Sequence, residues 1–88
     1  MEKTKRARLP QLVWVQKGET TTGNPTWETR DGMFRLIHST TCLGVAIPPR
    51  WTLWRYLAGR WHKVTESRGR DPVEKRARQL AAEYDDED

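Results

Sequence analysis

The stretch from Thr26 to Ser39 constrains this chain more than any other. Asp31-Gly32 stands between two runs rich in aromatic and β-branched residues, and Asp-Gly tolerates the positive φ that a two-residue type I′ hairpin turn requires. A turn at that point sets Arg30 against Met33, Thr29 against Phe34, Glu28 against Arg35 and Trp27 against Leu36. The pairing is chemically coherent. Trp27, Thr29, Phe34 and Leu36 then share one face, while Glu28 and Arg35 form an opposite-charge pair on the other. A slip of one residue would move every side chain to the wrong face, so the register is strongly specified.

Other elements are read around this hairpin. Gln11 to Gln16 (QLVWVQ) has strand composition, and Lys17 to Pro25, with two Gly and an Asn-Pro, reads as a loop. Thr40 to Arg50 reads as a connecting loop closed by the stiff pair Pro48-Pro49. A second hairpin is expected from Thr52–Tyr56 and Arg60–Glu66 around Leu57-Ala58-Gly59. With a three-residue loop, Trp54, Tyr56, His62 and Val64 share one face, and Leu53, Arg55, Trp61 and Lys63 the other. A different loop exchanges Trp61 and His62.

The C-terminal part reads as a helix. Asp71-Pro72-Val73-Glu74 offers a capping carboxylate, a proline in the first turn and a Glu three residues on. Val73, Ala77, Leu80, Ala81 and Tyr84 follow at helical spacing as one apolar stripe, with Glu74, Lys75, Arg78 and Gln79 opposite. The stripe needs a sheet to cover, and Trp27, Phe34, Leu36, Trp54 and Val64 are the face expected to receive it. The fold class is therefore α+β: a small antiparallel sheet of three to four strands with one C-terminal helix packed on one face. Residues 1–8 read as a basic flexible arm, 9–84 as one small domain and 85–88 as an acidic tail.

A chain of 88 residues has little room for an enclosed active site. No Gly-rich phosphate loop occurs. Cys42, His38 and His62 lack the spacing of a zinc set, and each histidine is read as a partly buried structural residue. No metal, other cofactor or catalytic residue is expected. There is no run of about 18 apolar residues to span a membrane, and a single cysteine favours a reducing, cytoplasmic setting.

Charge gives the functional direction. The chain carries 16 Lys and Arg against 12 Asp and Glu, but residues 1–8 stand at +3, the body at +6, and Glu83 onward at −5. Eleven of the 16 cations are Arg, whose planar fork suits phosphates and base edges. The sheet face opposite the helix is expected to present Arg30, Met33, Arg35, Ile37, Leu53, Arg55, Trp61 and Lys63. With Lys3, Lys5, Arg6 and Arg8 of the arm, its cations Arg30, Arg35, Arg55 and Lys63, together with Trp61, form the candidate nucleic-acid surface, for DNA rather than RNA. The rival expectation is a protein-binding modulator of a host protein that uses Trp51, Trp61 and the acidic tail as anchors.

The order Asp31-Gly32-Met33-Phe34-Arg35-Leu36, Trp54-Arg55, Gly59-Arg60-Trp61 and then a capped helix with Glu74, Ala77, Leu80 and Ala81 resembles the small accessory proteins of actinobacterial phages. The resemblance covers roughly residues 26 to 82. It implies a short sheet with a terminal helix and, for a phage-encoded chain, the host cytoplasm as its setting. The same order is similar to the arm-binding domains of phage integrases, which implies a sheet face laid on DNA.

Overall fold

A computed structural model describes residues 11–86, with side chains as far as Glu83. Among the described residues five strands and one helix follow one another: β1 (Trp14–Glu19), β2 (Pro25–Thr29), β3 (Phe34–Cys42), β4 (Val45–Leu57), β5 (Arg60–Ser67) and α1 (Arg70–Asp86). The strands form one antiparallel meander in the order β1-β2-β3-β4-β5. The α+β architecture matches the reading of the sequence, but the sheet has five strands rather than three to four.

The core lies between α1 and the middle of the sheet. Phe34 and Leu36 of β3, Leu53 of β4, and Val73, Ala77 and Leu80 of α1 are its buried residues. Leu12, Trp14, Trp27, Met33, Trp51, Val64 and Ala81 pack around them. The helical stripe thus buries Val73, Ala77 and Leu80 as the spacing indicates. The helix begins at Arg70, one residue before the expected cap, and runs on to Asp86.

The first hairpin keeps its register: Trp27 faces Leu36 and Glu28 faces Arg35. Its turn differs. Only Gly32 has a positive φ, and Asp31 does not, so the link is not type I′. The Gly32 amide donates to the Thr29 carbonyl at 2.9 Å. Buried Thr29 donates through Oγ1 to Asp31 Oδ1 (2.7 Å) and accepts from the Phe34 amide (3.1 Å). Asp31 Oδ1 also accepts from the Met33 amide at 3.0 Å. Two polar side chains do the work assigned to backbone twist, and the register survives.

Three expectations are corrected. β1 starts at Trp14 and continues to Glu19, because a bulge between Gln16 and Gly18 lets Gly18, at φ 120°, pair with Thr26. The supposed loop from Thr40 to Arg50 is the end of a long β3–β4 hairpin that turns at Leu43-Gly44, both at positive φ. Pro48-Pro49 fits within it because the ladder jumps from Thr41–Ala46 to Ser39–Arg50, which leaves the prolines where no strand amide is required.

The third correction concerns β4 and β5. Their turn is two residues, Ala58-Gly59, so Tyr56 faces Trp61 and Leu57 faces Arg60. Leu53 faces Leu36 and is fully buried, not on the open face. Trp54 faces Arg35 and Lys63 on the open face, not under the helix. Val64 still reaches the core, through the bulge at Leu53/Trp54.

Candidate nucleic-acid interface

The sheet side away from α1 carries no helix among the described residues. Its rows follow from the register: Tyr56 beside Trp61, then Val15, Glu28, Arg35, Trp54 and Lys63, then Thr26, Ile37, Thr52 and Glu66. Alternation along each strand puts these side chains on one surface.

Arg35 organises its centre. Its Nε and Nη2 both donate to Glu28 Oε2, at 3.1 and 2.7 Å, and its guanidinium lies 4.3 Å from the Trp61 ring centroid. Tyr56 meets Trp61 edge to face at 5.2 Å. Lys63 Nζ sits 2.7 Å from Glu66 Oε1, and Arg50 Nη1 donates to Glu66 Oε2 at 3.2 Å. The hydrogen bond and charge of Lys63 hold the Glu66 carboxyl below its ordinary pKa against an opposing desolvation, with a lesser contribution from the charge of Arg50. Three cations thus share two carboxylates, leaving a surplus of one positive charge around an aromatic patch. Trp54 lies between Arg35 and Lys63, and its Nε1 is buried without a partner among the described residues.

The structure brings together Arg35, Trp61 and Lys63 of the expected site and separates the others. Arg55 faces Phe34 and His62, which puts it on the helix side of the sheet. Arg30 is exposed in the β2–β3 turn, where its amide donates to the Val13 carbonyl at 3.0 Å. Met33 packs against the core. Lys3, Lys5, Arg6 and Arg8 lie outside the described residues. Tyr56 and Trp54 are additions, set on this face by the β3–β4 register, which reading Thr40 to Arg50 as a loop concealed.

A second aromatic group lies on the helix side. His38 stacks on Trp51 at 4.0 Å and 6°, and Trp51 tilts against Trp27 at 5.3 Å. The Arg70 guanidinium sits 5.2 Å from both indoles and pairs with Glu74. Trp51 is therefore a half-buried packing residue and not a free anchor. His38 fits the structural role expected of it, whereas His62 is exposed, with Nε2 3.2 Å from the Leu57 carbonyl oxygen.

The β3–β4 hairpin projects past both neighbouring ladders as an arm. β2 pairs with β3 only as far as Ile37, and β5 with β4 only from Trp51. Ser39 to Pro49 contains no charged residue. Leu43 at the tip is 86% exposed and Val45 65%. Buried Asn24 closes the β3 edge: Oδ1 accepts from the Thr40 and Thr41 amides at 2.9 and 3.2 Å, and Nδ2 donates to the Thr41 carbonyl at 3.0 Å. The prolines break the opposite edge, so neither side of the arm invites an added strand.

An open groove of about 460 Å³ lies between β5 and the start of α1, lined by Thr65, Glu66, Val73, Arg76 and Gln79 among others. Among the described residues no three His, Cys, Asp or Glu gather as a metal site, and no helix is long and apolar enough to cross a membrane. Comparison with family models, curated proteins and solved structures gives no match.

Proposed function

We propose that this chain is a small non-enzymatic nucleic-acid-binding protein that engages its ligand through the open sheet face. One observation carries the reading: Trp61, Tyr56, Arg35 and Lys63 converge on the sheet side away from α1. Aromatic rings offer faces for bases, and guanidinium and ammonium groups offer donors for phosphate. A basic body of +6 draws a polyanion toward the protein. The N-terminal cations Lys3, Lys5, Arg6 and Arg8 add to that attraction. Loose likeness to phage accessory proteins agrees with a small binding module acting in a host cytoplasm.

The test is a titration of the full chain with labelled DNA at about 50 mM salt, where phosphate contacts are least screened. Binding that weakens in Lys63→Ala supports the reading, and absence of binding to single-stranded and duplex DNA alike refutes it.

The arm favours a second reading. An uncharged hairpin with Leu43 and Val45 exposed at its tip suits an apolar pocket on a protein partner. Under that reading the host-protein modulator acts through the arm, in place of Trp51.

A further inference from the structure

The open face has a shape and a charge balance that together select among nucleic acids. We propose that its ligand is a single strand, bound by base stacking on Trp61 and Tyr56, with duplex DNA excluded from the same mode. The proposal rests on the nucleic-acid reading above and narrows it.

Shape is the first reason. Five strands span four inter-strand spacings, about 19 Å across. The B-DNA major groove is only about 12 Å wide, so the sheet cannot enter it flat. The two-stranded arm is narrow enough, yet from Ser39 to Pro49 it carries no cation to meet the phosphates that wall a groove. A single strand with splayed bases has no such width limit and can lie across the face.

Charge is the second reason. A duplex carries one negative charge for every ~1.7 Å of its axis, and a protein gains affinity from it in proportion to the phosphates it neutralises. Here Glu28 already occupies two donors of Arg35, and Glu66 takes both Lys63 and Arg50. The surplus on the face is one charge, too little to hold a duplex surface.

Stacking is the third. Arg35 covers Trp61 at 4.3 Å and Tyr56 abuts it at 5.2 Å, so the indole is held in place before any ligand arrives. Little side-chain freedom is then lost when a base stacks, which favours binding. The Glu28–Arg35 pair acts as a positioning device for the indole in this arrangement.

The experiment compares a labelled oligothymidine with a duplex of equal length, on the full chain, at about 50 and about 200 mM salt. The expected result is preferential binding of the oligothymidine, with a salt slope of one to two, against the roughly ten of a strongly phosphate-driven protein. Trp61→Ala should weaken it roughly five- to hundredfold, the worth of one base–aromatic stack, and Trp61→Phe should restore most of the loss. If Trp61→Ala fails to fold, Tyr56→Ala carries the same test, since Tyr56 is more exposed. Equal or tighter duplex binding, or a steep slope, overturns the single-strand inference and leaves the broader reading standing. A folded Trp61→Ala with unchanged affinity overturns the stacking mode. Failure of both ligands to bind removes the inference and the reading together.

Discussion

Leu53→Ala is the perturbation that most sharply separates one sheet face from the other. Leu53 is fully buried, opposite equally buried Leu36, in a core whose large described residues are Phe34, Leu36, Leu53, Val73 and Leu80. Removing three carbons forfeits about 2.4 kcal/mol of transfer free energy at ~0.8 kcal/mol per group. The space left against β3 and α1 adds to this, so the expected loss is about 3–4 kcal/mol, inside the usual range for Leu→Ala. A domain of 76 described residues has roughly 4–11 kcal/mol in total, so about a third or more of its stability is at stake. The melting temperature should fall by roughly 12–30 °C. Urea unfolding followed by tryptophan fluorescence and far-UV circular dichroism measures the change. Ile37→Ala is the control, because Ile37 lies one residue from Leu36 on the open face and should cost about 1 kcal/mol. If Leu53→Ala costs less than Ile37→Ala, the two faces are reversed and the reasoning fails.

Three further expectations concern the turns, the arm and acid. Leu43 sits at φ 53° and is 86% exposed, so Leu43→Asn removes left-handed strain without losing packing and should raise stability by about 0.5–1 kcal/mol in urea; a loss would show that Leu43 is held by contacts. Asn24→Ala strips partners from the Thr40 and Thr41 amides and should cost about 2–4 kcal/mol. Amide exchange should quicken at those two positions and not at Leu36; uniform change along β3 would contradict a local edge cap. Because the Glu66 carboxyl is depressed by Lys63, its stabilising share is present above the unfolded carboxylate range and is lost as pH falls through the lowered folded value. Wild type and Glu66→Gln should therefore differ near neutral pH and converge in acid, and a gap that does not narrow as pH falls would contradict the pairing.

Legibility in the sequence followed how local the determining chemistry is. The first hairpin could be read because Glu28 and Arg35, and Trp27 and Leu36, constrain each other whatever the turn. The helix could be read because Val73, Ala77 and Leu80 carry its period within one element. The arm was hidden by its residues: Leu43 is an unfavourable occupant of a left-handed turn position, and Pro48-Pro49 normally argues against a strand. Its pairing is made possible by a ladder irregularity and by Asn24, 17 residues away from Thr41. At the second hairpin the faces depended on the β3–β4 register together with one residue of turn length. Pairing of β4 with β3 put Arg55 and Leu53 on the helix side and Trp54 and Tyr56 on the open face, and the two-residue turn kept Trp61 and Lys63 beside them.

The central claim is that the open face is where nucleic acid sits, and the five indole N–H signals report on it directly. Trp54 and Trp61 lie on that face, while Trp27 and Trp51 lie under Arg70 on the other, beside the core to which Trp14 also packs. In a nitrogen–proton correlation spectrum of the full chain titrated with oligothymidine, the account predicts that the Trp61 signal moves most and Trp54 with it. Trp14, Trp27 and Trp51 should stay within the shifts produced by salt alone. Saturable movement centred on Trp27 and Trp51, or on the amides of Leu43 to Val45 with Trp61 still, would contradict it.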